Sequence, residues 1–377
     1  MRQYLFGKEY RQWFCFITVK ERTRIMAQNF DSNSQITSDI PTPISRIAKP
    51  SSEFYSIFSD AEVLGMIHAL EFTREIPLKY SYKGRGAKIW DDFYLKYIIP
   101  TWYRKSNVEI DMLNNNFEYL NGQHQGSKKV NVIDVGAGNS YPVKKFIGRL
   151  NKLGKINKYI ALDISEELLK LSRKNFTNWF PSIEFTTDTI DIENSCIAKS
   201  LLQNQANDEI DDQATIILHL GVTMGNHQNS NQVLKNFRDS MGKQDYLVFT
   251  SETGSNSQWD GRVRGGCDYH AEQVYRWVKS KMGINSEDCE LIRKYDLAKD
   301  SIVANIKFLQ NYTMNFQLEG IDKNIEISQG EEITIWRHHK YEIPELLQKI
   351  EAAGLQLVHY STNKYLSHIM VICKVAK

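Results

Sequence analysis

No stretch of this 377-residue sequence stays apolar for the roughly 20 residues that a membrane-spanning helix needs. The segment "FCFITV" is too short and too poorly flanked for a signal peptide. Cysteine is scarce: Cys15, Cys196, Cys267, Cys289 and Cys373 are 5 in number, far apart and without CxxC spacing. That excludes a zinc ribbon and argues against a disulfide framework. Net charge is nearly absent too, since 47 basic against 45 acidic residues leave +2, and no global field favours nucleic acid or an anionic membrane. The expectation from these absences is a cytosolic monomer with reduced thiols, no metal, and a small, roughly neutral molecule as its partner.

What is present is enough apolar residue, 41%, to bury a core. Residues 1–51 read as a flexible extension. They divide at Met26, a candidate translation start, after which "AQNFDSNSQITSDIPTPISRIAKPSS" is rich in Ser, Asn, Pro and Thr. Over 52–115, "EVLGMIHALEF", "AKIWDDFYLKYI" and "VEIDMLNNNFEYL" read as helices joined by the turn "YKGRGA".

From 116 to 253 apolar runs of strand length alternate with helical patterns: "VNVIDVG", "KYIALDI", "IEFTTDTI", "TIILHLGVT" and "DYLVFTSE" are separated by helices such as "SEELLKLSRKNF". This alternation predicts an α/β fold with a parallel, doubly wound sheet. Residues 254–341 read as a helix around "AEQVYRWVKSKM" and then polar-alternating strands, an antiparallel sheet with one wet face. Residues 342–377 give a helix and two strands that rejoin the main sheet at its edge.

The loop "DVGAGNS", Asp134 to Ser140, joins the first apolar strand to a helix. Gly136 and Gly138 let backbone approach a bulky ligand. A dinucleotide loop would carry a third glycine where Tyr141 stands, which weakens a pyrophosphate reading. S-adenosylmethionine (SAM) needs two glycines and an acid to face its cationic end, and Asp134 is placed for that role. The second strand ends in Asp163, positioned for the ribose hydroxyls; the third ends in Asp188 and Thr189, positioned for the adenine amine. Three acids at the carboxyl ends of consecutive strands share one rim, where open α/β sheets bind ligands. The fold class expected is a class I SAM-methyltransferase with a second α+β substrate lobe, and SAM is the cofactor.

Several segments then resemble one family: the histidine Nα-methyltransferases of ergothioneine synthesis and their fungal relatives that N-methylate prenylated tryptophan. "PLKYSYKGRGAKIWDDF", "WYRKSNVEIDML", "LHLGVTMGN" and "GEEITIWRHHKYEIPELLQKIEAAGL" carry the resemblance, which runs from about Pro77 to Lys374. It implies an amino-acid substrate held between the Rossmann-like domain and a separate lobe. It also implies that Asn226 holds the α-amino and carboxylate groups and that Tyr82, Tyr269 and Tyr103 line the pocket. Trp90 stands where the family has phenylalanine. Asn226, Tyr82 and Tyr269 are the candidate catalytic residues, acting by aiming an amine at a methyl carbon about 3 Å away.

One exchange bears on the acceptor. Where the histidine enzymes carry a glutamate and a serine that read imidazole, this sequence aligns Trp336 and His338. In a strand, Trp336, His338 and Lys340 share a face while His339 points away, so His338 and His339 cannot readily chelate one metal ion. An indole replaces a carboxylate, and the expected acceptor is tryptophan-like, with histidine as the alternative. A nucleic-acid methyltransferase would carry an Asn/Asp-Pro-Pro-aromatic motif where "HLGVTMGN" stands. A SAM-binding protein without turnover is the reading from a different class.

Overall fold

The structure, a computed structural model, describes residues 45–99, 107–123, 129–202, 214–221, 223–261 and 267–377. Cys15, Met26 and Tyr103 lie outside the described residues.

The chain opens with β1 (Arg46–Ala48), α1 (Ser52–Ile57) and α2 (Asp60–Thr73). Residues 46–48 are thus part of a sheet rather than of a lead-in that runs to 51. Ser59 and Glu62 close a reciprocal capping box on α2, satisfying amide groups that the first helical turn leaves without partners. A 3-10 turn, Leu78–Tyr82, leads into α3 (Arg85–Phe93). The turn explains its glycine: a Cβ on Gly86 would fall 1.7 Å from the Ser81 carbonyl oxygen. The third expected helix breaks at Asn116 into α4 (Val108–Asn115), capped by Asn107, and α5 (Phe117–Gln123).

Next follow β2 (Val130–Val135), α6 (Lys144–Lys152), β3 (Ile156–Asp163), α7 (Glu166–Trp179), β4 (Glu184–Thr189) and α8 (Lys199–Leu202). After these come β5 (Thr215–His219), α9 (Ser230–Ser240) and β6 (Tyr246–Glu252). All six residues of β2 are buried, as a strand covered on both faces must be. Its side chains alternate: Val130 and Val132 join a cluster with Phe146, Tyr159 and Phe176, whereas Ile133 and Val135 join Phe237 and Leu346 on the other face.

The remaining elements are α10 (Cys267–Met282), β7 (Cys289–Asp296), β8 (Ser301–Phe308), β9 (Tyr312–Leu318), β10 (Ile321–Ile327), β11 (Glu332–His338), α11 (Ile343–Ala352), β12 (Leu355–Thr362) and β13 (His368–Val375). The large sheet has the order β12-β13-β6-β5-β2-β3-β4. Its neighbours pair in parallel except at β13, which is antiparallel to both β6 and β12. This is the class I SAM-methyltransferase arrangement, with β5 central and the strand order reversing between β2 and β5. That reversal opens a crevice at the carboxyl ends of the strands.

Between β6 and α11 the expected single antiparallel sheet is two small ones, β11-β8-β7 and β1-β9-β10, and β1 joins β9 in parallel. The run "SIVANIKFLQNYTMNFQL" turns between them. Nearly every residue of β8 is buried, so it has no wet face, and its two edges are paired with β11 and β7. These sheets share one apolar core with α1, α2 and α10, which includes Phe54, Met66, Trp277, Ile306, Phe316 and Trp336. No helix among the described residues is long and apolar enough to cross a membrane.

Candidate functional site

The carboxyl ends of β2, β3, β5 and β6 open into a cavity of about 760 Å³, within the range of small-molecule sites. The turn after β2 forms one wall. Gly136 and Gly138 both line the cavity with positive φ, 76° and 53°, a backbone region that residues with a Cβ enter only at a cost. A Cβ at Gly138 would also stand 2.4 Å from the ring of Trp90. α3 is therefore clamped onto the turn, by that contact and by a 2.8 Å hydrogen bond from Asn139 Nδ2 to the buried Asp91.

Asp134 and Asp163 line the same wall, both buried. Tyr159 donates a 2.7 Å hydrogen bond to Asp134 Oδ2, but burial dominates and, helped by the charge of Asp163, raises the carboxyl pKa to about 7. Asp163 accepts the amide N–H groups of Gly138 at 2.9 Å and Ser165 at 3.0 Å, and burial still raises its pKa to about 6. Buried carboxylates that no cation among the described residues faces, beside glycines that leave room for a ligand, suit a cofactor with a cationic sulfonium end and ribose hydroxyls. SAM fits these residues.

Other expected cofactor contacts lie elsewhere. Ser140 is fully buried behind the turn, sharing its hydroxyl with Tyr159 at 2.9 Å and Ser172 at 2.5 Å; it props the loop and does not line the cavity. Asp188 and Thr189 are exposed and do not line it either. The chain runs on past the strand end, and Ile190 to Glu193 reach the cavity in their place.

On the other side, Asn226 accepts a 3.0 Å hydrogen bond from His338 Nδ1, and His338 Nε2 stands 3.2 Å from Glu252 Oε2. Burial would raise the Glu252 pKa, yet the hydrogen bond and charge of His338, with His368 and Lys340, bring it down to about 2. Trp336, His338 and Lys340 all line the cavity. The strand reaches it after a register shift against β8 between Thr334 and Trp336. Tyr82 and Trp90 line it as well.

Tyr269 does not line the cavity; its ring packs on Tyr97 at 5.1 Å with Lys96 nearby. The next residue, His270, lines it instead, because consecutive helical side chains point about 100° apart. His270 is buried and roughly parallel to the rings of Tyr82 at 6.0 Å and Phe93 at 5.1 Å, and burial lowers its pKa to about 4.

A polar chain missed by the sequence reading links the strand ends. The Val135 carbonyl accepts from His219 Nδ1 at 2.9 Å, so His219 Nε2 accepts from His227 Nε2 at 3.1 Å. His227 Nδ1 then faces Glu193 Oε1 at 3.1 Å, and geometry asks His227 to donate from both nitrogens. Lys79, on the 3-10 turn, reaches across to Glu193 at 3.0 Å and Asp191 at 2.7 Å. Burial drives the His219 pKa down to about 3. It opposes ionisation of Glu193 too, but His227 and Lys79 hold that carboxyl near 2. Tyr94 lines the cavity with a buried hydroxyl that finds no partner among the described residues. Of these groups, His219, Asp191 and Glu193 carried one sequence signal, proximity to strand ends; Lys79 and Tyr94 lie on helical turns far from any strand.

The sequence profile of a family described as "Histidine-specific methyltransferase, SAM-dependent" matches residues 61–259, more than half of the chain. No curated protein sequence matches it. Among solved structures, the chain is similar to a SAM-dependent methyltransferase from Clostridium acetobutylicum, with 10% identity and a TM-score of 0.34 over 85% of this chain and 100% of that one. It is similar also to magnesium protoporphyrin IX methyltransferase from Synechocystis with bound SAH, with 9% identity and a TM-score of 0.41 over 79% and 98%. The fold assignment rests on strand order and not on these likenesses.

Proposed function

Because the chain belongs to the family of histidine-specific, SAM-dependent methyltransferases, we propose that its methyl acceptor is the α-amino group of an aromatic amino acid or derived amine, tryptophan-like in side chain. The observation that carries this reading is the buried indole of Trp336 in the wall of the cavity that also holds Asn226 and the glycine turn. An indole offers a flat apolar face where an imidazole reader would offer a carboxylate, and aromatic pairs favour such faces.

SAM, when bound, supplies an electrophilic methyl group on sulfur. The residues then have a positioning task. Gly136 and Gly138 admit the cofactor, Asp134 and Asp163 answer its cationic end and ribose, and Asn226 holds the amino-acid end of the acceptor. Tyr82 and Trp90 bound the acceptor's side chain, and aromatic faces favour an acceptor that becomes a cation. In this reading the acceptor lies between the Rossmann-like sheet and a lobe made of 52–115 and 254–341.

The test is a SAM-consumption screen over free amino acids and indole amines, with mass spectrometry of the products. Turnover of tryptophan, prenylated tryptophan or another indole amine is the expected result. Methylation of histidine far faster than these overturns the acceptor assignment. SAH binding without turnover of any candidate would leave a cofactor-binding protein and no enzyme of this kind.

A further inference from the structure

Several carboxylates line the cavity, and most are already committed. Asp134 takes the Tyr159 hydroxyl, Asp163 takes two amide N–H groups, and Asp191 and Glu193 share Lys79. Glu109 accepts from the Gly221 amide at 2.9 Å and the Thr250 hydroxyl at 2.7 Å.

Glu252 is held differently. It stands at the carboxyl end of β6, and its side chain keeps 29% of its surface exposed within the cavity wall. Oε2 faces His338 Nε2 at 3.2 Å, with Lys340 Nζ at 3.7 Å. Oε1 accepts no hydrogen bond from any described residue; His368 Nε2 stands 3.9 Å away, beyond hydrogen-bond reach. One oxygen is anchored, so the other is fixed in place with open acceptor capacity. The anchoring imidazole is the one that binds Asn226, which puts Asn226 and Glu252 on either side of one rigid ring.

We propose that Glu252 is the ammonium anchor of the acceptor site: its Oε1 accepts from the α-amino group, leaving the Asn226 amide to the acceptor's carboxylate. The assignment rests on the amine-acceptor reading above and adds to it a residue and a charge. A fixed carboxylate also suits the transfer, in which a neutral amine attacks the methyl carbon, the C–S bond breaks and the nitrogen gains the positive charge that sulfur gives up.

Glu252→Gln keeps the shape and a hydrogen-bonding partner for His338 while removing the charge. Calorimetry with saturating SAH should compare tryptophan with indole-3-propionate, which lacks the amine, in wild type and variant. Tryptophan affinity is expected to fall at least tenfold while indole-3-propionate affinity stays within about twofold. An equal fall for both ligands would make Glu252 a shape residue only, and no change for either would remove it from the site; both overturn the proposal. If wild type prefers histidine and imidazole-4-propionate to the indole pair, the tryptophan-like assignment fails alone, and the same comparison on the imidazole pair decides Glu252. Binding of neither pair by wild type overturns both. Should Glu252→Gln fold poorly, Glu252→Asp provides the same readout by pulling the carboxylate back, with tryptophan again losing more affinity than its des-amino counterpart.

Discussion

The indole of Trp90 lies directly over Gly138, so close that a Cβ there would fall 2.4 Å from its Cη2 atom. α3 and the glycine turn therefore depend on each other. Gly138→Ala is expected to weaken SAH binding more than tenfold in calorimetry, since strain at φ 53° adds about 1 kcal/mol or more to the clash. Trp90→Ala in the same chain should recover part of the loss, because it removes the clash and leaves only the strain.

Asp134 is expected to tie cofactor binding to pH. Its carboxyl pKa rises from 3.8 to about 7 on folding, so its contribution to stability is intact below 3.8 and is lost as pH rises through 7. Asp134→Asn, which keeps an oxygen for Tyr159, should melt higher than wild type at pH 8, by an amount worth about 1 kcal/mol or more, and about equally at pH 4. SAM affinity of wild type should climb between pH 6 and 8 as the carboxylate ionises. The variant should show a weak, flat profile.

The unpartnered Tyr94 hydroxyl gives the opposite signature to a packing residue. Burial holds its pKa well above the ordinary value, so it remains a donor. Removing a buried, unsatisfied hydroxyl is close to neutral for folding or stabilising. Tyr94→Phe is expected to keep or raise the melting temperature while lowering affinity for SAH or the acceptor by about threefold to tenfold, the range of one hydrogen bond. A fall in stability together with unchanged ligand affinity would show that the hydroxyl serves the fold.

Lys79 carries charge balance across the cavity. Lys79→Met removes the ammonium that Asp191 and Glu193 share, leaving His227 as the side-chain partner of Glu193, and a loss of about 1–3 kcal/mol is expected, less than for a fully buried pair because Asp191 is partly exposed. Glu193 is lowered from 4.5 to about 2 on folding, so its stabilisation is present above 4.5 and disappears as pH falls toward 2. The variant should lose part of this acid-sensitive contribution, seen as a flatter dependence of stability on pH below 4.5 in denaturant titrations.

Acceptor choice can be moved if the late strand sets it. Trp336→Glu with His338→Ser should raise the ratio of histidine to tryptophan turnover at least tenfold in competition assays, a difference of about 1.4 kcal/mol. An unchanged ratio would dissociate β11 from acceptor choice.

Much of this architecture was legible from local signals. The alternating residues of β2, the Ser165 cap of α7 and the short strand-to-helix turn at Gly136 and Gly138 are encoded within a few neighbours. Asp134 and Asp163 were legible because a strand's carboxyl end must face the crevice of such a sheet. Asp188 and Thr189 were not legible in this way, because the last residues of β4 are not its rim: the chain enters the cavity at Ile190, just past the strand end. Tyr269 misled by one residue on a helix, where a single step turns a side chain from the cavity occupied by His270 to the packing against Tyr97.

Sequence by itself determined the sheet class, the glycine turn and its acids, because periodicity and turn chemistry act over short windows. Only tertiary structure decided which charges meet. Glu252 and His338 are 86 residues apart, Lys79 and Glu193 are 114 apart, and each pair forms only when β6, β11 and the 3-10 turn converge on one cavity. The pKa values of Glu252 and Glu193 follow from burial and from the partner that packing supplies, and neither is a property of the residues near them in the chain.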